Sequence, residues 1–266
     1  MTTLHGTDVT LVGNDPSYLE TTRWAVNESD RVTAVSRWLA EATREQLCLE
    51  DRPIEVIPNF VDPTRFERVR SSAGARRWAK PGEKILIHVS NFRPVKRVMD
   101  VLEVFLRLRK AMPARLLLVG DGPDRAKLES RCRAEGCCDA VTFLGHLQSV
   151  EEVLVGADLF VLPSENESFG LASLEAQACE VPVVAYRVAG VPEVVEDGVT
   201  GALFDLGDVD GMAAGALALL GDPERHRRMA KQARERAVAK FAEVDVVRRY
   251  RELYERTLAG SGAPRP

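Results

Sequence analysis

Two short segments hold the residue types from which a phosphate- and sugar-handling site can be built. The first is Ser90-Asn91-Phe92-Arg93-Pro94-Val95-Lys96, which sets two cations close together. The second is Pro163-Ser164-Glu165-Asn166-Glu167-Ser168-Phe169-Gly170-Leu171, a polar, acidic run leading into a helical pattern that carries Glu175. Unpaired backbone N–H groups at a helix start favour an anion. A diphosphate suits that place, with Arg93 and Lys96 stabilising the charge that grows as a bond to it breaks. Glu167 and Glu175 cannot favour phosphate, but carboxylates accept hydrogen bonds from hydroxyls, so a sugar and a ribose are their natural partners. Bland readings stand beside these. Arg93 and Lys96 also fit solvated surface charges, Glu175 an exposed helix residue, and His5 an ordinary surface histidine. Gly120-Asp121-Gly122-Pro123 reads as a plain turn more readily than as a phosphate loop.

Elements that could position such residues follow from the hydrophobic pattern. From Lys84 onward, short aliphatic runs alternate with longer amphipathic segments, the sequence form of a parallel sheet covered by helices on both faces. The runs are Ile85-Val89, Arg115-Val119, Val141-Leu144, Leu159-Leu162, Val181-Ala185 and a weaker Ala202-Phe204. Helices are expected at Lys96-Ala111, Asp124-Glu135, Val150-Gly156, Phe169-Cys179 and Val191-Glu196, then at Met212-Leu220, Pro223-Phe241 and Val244-Leu258. In a doubly wound sheet the first and fourth strands are neighbours where the winding reverses, and ligands bind beyond their carboxyl ends. That rule selects the two segments described above. Before Lys84 the pattern offers a strand at Val32-Val35, a helix capped by Ser36, and a strand at Ile54-Ile57.

Composition narrows the function classes. The chain has 266 residues, 45% hydrophobic and 29% charged, which excludes a disordered tail and a disulfide-stapled miniprotein. A net charge of −4 gives no global field for a nucleic-acid partner, so phosphate recognition must be local. No window approaches the ~18 apolar residues of an integral membrane segment. Five scattered cysteines without a Cys-x-x-Cys pair argue against structural zinc, and a cytoplasmic location is expected.

The stretch Glu167-Ser-Phe-Gly-Leu-Ala-Ser-Leu-Glu175, with Ala176-Gln-Ala-Cys-Glu-Val-Pro-Val-Val184 and Gly190-Val-Pro-Glu-Val-Val-Glu-Asp-Gly-Val-Thr-Gly201, resembles the Glu-x7-Glu region of the retaining GT-B nucleotide-sugar glycosyltransferases. The resemblance covers nearly the whole chain. Thr2-Thr-Leu-His-Gly-Thr-Asp8, Val32-Thr-Ala-Val-Ser36, Ile57-Pro-Asn-Phe-Val-Asp62 and Val89-Ser-Asn-Phe-Arg-Pro-Val-Lys-Arg97 bring it nearest to the bacillithiol-pathway branch. That branch moves N-acetylglucosamine from UDP-N-acetylglucosamine to L-malate. The implied fold is α/β of GT-B type, a doubly wound C-terminal domain with a partial N-terminal Rossmann-like domain.

The resemblance also assigns roles. It implies that Lys96 contacts the diphosphate, Glu167 the donor sugar and Glu175 the ribose, with the N–H groups of Phe169, Gly170 and Leu171 around sugar and phosphate. Ser168 belongs to the same donor loop. His5 is similar to the family histidine near the reacting sugar, and Thr3 lies where an acceptor would approach. Many relatives place an arginine at the Asn91 position, so Arg93 is the second cation here. No metal or other cofactor is implied. The expected organisation is an N-terminal acceptor remnant over 1–61, a linker over 62–83, the nucleotide-sugar domain over 84–242, a crossing helix over 243–258 and a tail over 259–266. Relatives carry further strand-helix units before the His-Gly-Thr-Asp motif, so this chain is expected to bind UDP and transfer sugar poorly. An exposed partial domain would favour a homo-oligomer. Open alternatives are another acceptor (lipid, inositol phosphate or polysaccharide) and a non-catalytic nucleotide-sugar-binding role. A UDP-sugar epimerase is a third, against which the Glu-x7-Glu spacing and His5 argue.

Overall fold

The computed structural model describes residues 1–7, 9, 15–67 and 74–260. The strands within them form two sheets, and every pairing is parallel. The smaller sheet has the order β1-β2-β3, from Thr2–Leu4, Val32–Ala34 and Ile54–Val56, with α1 (Pro16–Asn27) and α2 (Arg37–Gln46) as its crossovers. This corrects the expectation of two strands and one helix before Lys84. Thr2–Leu4 pairs residue for residue with Val32–Ala34. Asp15 opens α1 by accepting the Ser17 N–H, with Pro16 in the first turn where its missing donor costs nothing. Ser36 caps α2 as its sequence position foretold, its hydroxyl accepting from the Leu39 N–H at 3.0 Å.

The larger sheet has the order β6-β5-β4-β7-β8-β9. Its strands are β4 (Lys84–Val89), β5 (Ala114–Val119), β6 (Val141–Gly145), β7 (Leu159–Leu162), β8 (Val183–Tyr186) and β9 (Gly201–Phe204). The helices between and after them are α3 (Val98–Arg109), α4 (Arg125–Ala134), α5 (Glu151–Leu154), α6 (Leu171–Ala178), α7 (Val191–Val194), α8 (Val209–Gly221), α9 (Pro223–Phe241) and α10 (Glu243–Gly260). Alternate residues of β4 serve opposite layers. Ile85 and Ile87 join a core with Phe160, Leu174 and the N-terminal Leu4 and Leu39. Leu86 joins a second core with Phe105, Leu118, Val161 and Met212. Burial of each such side chain contributes about 1.5–3 kcal/mol, which is why the runs set the sheet.

Several boundaries differ from the sequence reading. The helix expected from Lys96 instead opens as a 3-10 turn at Pro94–Lys96, is interrupted by Arg97 at φ +46°, and restarts as α3 at Val98. The helix expected from Phe169 begins at Leu171, after Gly170 at φ +92°. Strand β8 begins at Val183 rather than Val181, because Pro182 has no N–H for the ladder and offers only its carbonyl, to Phe160. Helix α10 runs two residues beyond Leu258, taking Ala259 and Gly260 out of the expected tail. Residues 261–266, linker residues 68–73 and Asp8 of the first motif lie outside the described residues. Val246 and Leu253 of α10 pack on Ile57, so the last helix closes against the small sheet.

Candidate active site

Strands β4 and β7 lie side by side at the reversal of winding, and their pairing stops at Ile87 and Phe160. Beyond it the chain parts into the two polar segments. The Glu165 N–H bonds the Val95 carbonyl at 2.8 Å and ties them together again. Between them opens a cleft of about 400 Å³, lined by Asn91, Arg93, Lys96, Asn166, Glu167 and Ser168, and from the small sheet by Gly6 and Thr7. A second chamber, of about 340 Å³, is lined by Ser90, Asn91, Lys96, Glu167, Gly170, Leu171 and Glu175. Asn91, Lys96 and Glu167 belong to both.

The junction of the two chambers is an ion pair. Lys96 Nζ stands 2.6 Å from Glu167 Oε2, with side chains 21% and 16% exposed. This geometry holds a cation ready at the mouth of both spaces. Arg93 is exposed on the cleft wall and makes no ion pair among the described residues, leaving its guanidinium available to an anion.

Helix α6 starts without a side-chain cap, at Gly170, and its first turn borders the second chamber. Its open N–H groups and partial positive charge therefore face the same space as Lys96. One turn further along, Glu175 is half-buried rather than surface-exposed. Burial pushes its carboxyl up to about 7; Arg65 draws it down and Glu151 adds to the rise. A carboxylate held there is under-solvated, which suits it to hydroxyl donors.

Ser168 and Phe169 are committed to the scaffold. The Ser168 hydroxyl donates to the His5 carbonyl at 2.6 Å, and the Ser168 carbonyl accepts from the Ser36 hydroxyl at 2.6 Å. Phe169 is buried edge-to-face on Phe241. Any ligand contact by these two would come through the backbone.

Asn91, Arg93, Lys96, Glu167, Ser168, Gly170, Leu171 and Glu175 are thus gathered around two adjoining spaces. His5 reaches them through its carbonyl. Thr3 stands apart, in β1, its hydroxyl accepting a 2.9 Å hydrogen bond from buried Thr33. Gly6, Thr7 and Asn166 line the cleft and escaped the sequence reading, although adjacency to His5 and Glu167 was a usable signal. Among the described residues, no group of three or more histidines, cysteines or acids is arranged to hold a metal ion, and no helix is long and apolar enough to cross a membrane.

Comparison with known proteins places this geometry in context. The family described as Glycosyl transferases group 1 matches residues 75–236, and Glycosyltransferase Family 4 matches residues 1–65. The chain is 43% identical over 255 residues to N-acetyl-alpha-D-glucosaminyl L-malate synthase of Bacillus anthracis, covering 96% of this chain and 67% of that protein. It is 32% identical over 246 residues to glycogen synthase of Mycobacterium tuberculosis (strain CDC 1551 / Oshkosh), covering 91% of this chain and 58% of the relative. Among solved structures, sucrose-phosphate synthase from Thermosynechococcus elongatus superposes with a TM-score of 0.85 at 25% identity, over 97% of this chain and 67% of that one. The chain therefore spans roughly three fifths to two thirds of these proteins.

Proposed function

The chain belongs to the group 1 glycosyltransferases, and from that premise we propose that it serves transfer of N-acetylglucosamine from UDP-N-acetylglucosamine to L-malate with retention at the anomeric carbon. The observation that carries the donor half is the Lys96–Glu167 pair at the junction of the two chambers. The nucleotide occupies the Glu175 chamber, its ribose hydroxyls donating to that carboxylate. The diphosphate lies at the start of α6 beside Lys96, with Arg93 as the second cation. The sugar extends into the cleft, where Glu167 accepts from its hydroxyls and Gly6 and Thr7 form the far wall. As the bond from the sugar C1 to the diphosphate oxygen breaks, a bond from C1 to the malate hydroxyl oxygen forms on the same face. The hydroxyl proton passes to the departing diphosphate. Lys96 and the α6 N–H groups stabilise the charge that accumulates there.

Malate rests on the 43% identical relative. A second reading, a different acceptor on the same donor chemistry, is favoured by the polymer-forming relative at 32% identity. Five free cysteines fit the reducing cytoplasm in which we place the reaction.

Incubation with UDP-N-acetylglucosamine and L-malate, read by mass spectrometry for the glycoside and by NMR for its anomeric configuration, tests the proposal. An α-linked malate glycoside with equimolar UDP is the expected result. UDP release only with an oligosaccharide or inositol phosphate would replace malate, and an inverted product would overturn the retaining course.

A further inference from the structure

We infer that His88, buried in β4 behind the site, is a positioning residue for donor binding: its imidazole fixes the loop carrying Asn91, Arg93 and Lys96 to the strand that leads to Glu167. The inference rests on the donor site proposed above.

A histidine in the strand Lys-Ile-Leu-Ile-His-Val is a costly choice, since the side chain is 0% exposed. Both ring nitrogens are nevertheless satisfied. Nδ1 lies 2.8 Å from the Val161 carbonyl, and Nε2 lies 2.8 Å from the Ser90 hydroxyl. A carbonyl only accepts, so the proton sits on Nδ1 and Nε2 accepts the Ser90 O–H. The Ser90 oxygen in turn accepts the Phe92 N–H at 3.2 Å. The relay thus runs from β7 through β4 into the loop. It operates one residue past the last β4–β7 pair, where the two strands start to part.

The relay requires a neutral ring, because an imidazolium has no acceptor. Burial depresses His88 to about 4; the Val161 carbonyl opposes that and the Lys96 charge adds to it. The loop it serves needs bracing. Phe92 holds φ +41°, an unfavourable backbone state for a residue with a side chain, and its ring is fully buried, stacked 6.2 Å from that of His88. From the other side, Gly120 packs so closely that a Cβ on it would fall 1.8 Å from the Ser90 carbonyl oxygen. An aliphatic side chain would fill the His88 position at lower desolvation cost. What the imidazole adds is direction for the loop.

Calorimetric titration with UDP, together with steady-state kinetics on UDP-N-acetylglucosamine, tests this. His88→Leu is expected to weaken UDP binding and raise KM for the donor by about 10- to 100-fold while the protein stays folded, the cost of sub-ångström misplacement. His88→Gln, whose amide can both donate and accept, should recover most of the loss. Ser90→Ala is the milder variant should His88→Leu not fold. It should weaken UDP binding in the same direction. The double variant that combines His88→Leu with Ser90→Ala, if folded, should be no worse than His88→Leu alone, because both sever one relay. Wild-type affinity in His88→Leu or Ser90→Ala, or losses that add in the double variant, would overturn the inference. Wild-type protein that does not bind UDP would instead overturn the donor site, and the inference with it.

Discussion

The Ser168 hydroxyl donates a 2.6 Å hydrogen bond to the backbone carbonyl of His5, joining the Glu167-bearing loop of the large sheet to the end of the first strand of the small one. The contact depends on the residue that follows His5. Gly6 holds φ +126°, and a Cβ there would lie 2.5 Å from the Ser168 oxygen. Here the two sheets therefore meet through a side chain of one and the backbone of the other, at the place where sugar and acceptor would meet.

Gly6→Ala is expected to strain this contact from both the dihedral and the clash, costing about 1–3 kcal/mol of stability and lowering turnover more than UDP affinity. Adding Ser168→Gly removes both atoms that a Cβ on Gly6 would meet, the Ser168 Oγ at 2.5 Å and its Cβ at 2.7 Å, but not the dihedral strain, so the double variant should regain part of the stability. Thermal unfolding of the two single variants and the double resolves the terms. Additive losses would count against the clash.

A Lys96→Ala substitution removes the cation at the junction and leaves Glu167 without its 2.6 Å partner. With the diphosphate charge developing beside it, turnover should fall by about 10²–10³-fold, as for loss of one preorganised donor to a growing anion. Glu167→Gln keeps the shape and loses the strong acceptor, so donor KM should rise while UDP itself binds nearly as before. Equal damage by Glu167→Gln to UDP and UDP-sugar binding would place Glu167 on the nucleotide instead.

How much of this was legible in sequence varies with how local the cause is. Ile85-Val89 and Leu159-Leu162 marked β4 and β7 because an aliphatic run is itself the driving force, and the winding rule then made them neighbours. Ser36 marked the start of α2 because capping is a contact between near residues. The strand Thr2–Leu4 is three residues long with two threonines, and α1 fully buries only Val26, so neither wrote a pattern. Glu175 was indistinguishable from a surface glutamate. Its burial and the Arg65–Glu151 pair that tunes it arise only when distant segments pack together.

Glu175 predicts a pH signature. Its carboxyl sits near 7 in the folded chain against 4.5 when free, so between those values the folded state keeps a proton the unfolded state gives up. Stability from this group is full below about 4.5, declines as pH rises through about 7 and is flat above, with a total on the order of 3 kcal/mol. Glu175→Gln should flatten that decline in denaturant titrations across pH. Ribose hydroxyls donate to the ionised form, so UDP-N-acetylglucosamine should bind more tightly as pH rises through 7 and release a proton near neutrality. The diphosphate diester has no group titrating there, unlike UDP. Tighter binding at low pH would mean that a protonated Glu175 is the form that holds the nucleotide.

A further bridge between the two parts is a cap supplied from outside its own helix. Glu193 of α7 accepts the N–H groups of Arg37 and Trp38, each at 3.0 Å, so its carboxylate closes the first turn of α2 while Ser36 caps the same helix and reaches Ser168. A negative charge at a helix start is favourable, and hydrogen bonds to an ionised group contribute more than neutral ones. Glu193→Ala would strip two donors of their partner, the Arg37 N–H at an exposed position and the Trp38 N–H at a partly buried one, which should cost about 1 kcal/mol, as for loss of a helix cap. The contact joins α2 beside the small sheet to α7 beside the large one, so the variant should lower kcat while leaving UDP affinity within about twofold, and Glu193→Gln should recover part of the loss. If Glu193→Ala impaired UDP binding as strongly as turnover, the contact would be shaping the donor pocket itself rather than holding His5 and the cleft wall against it.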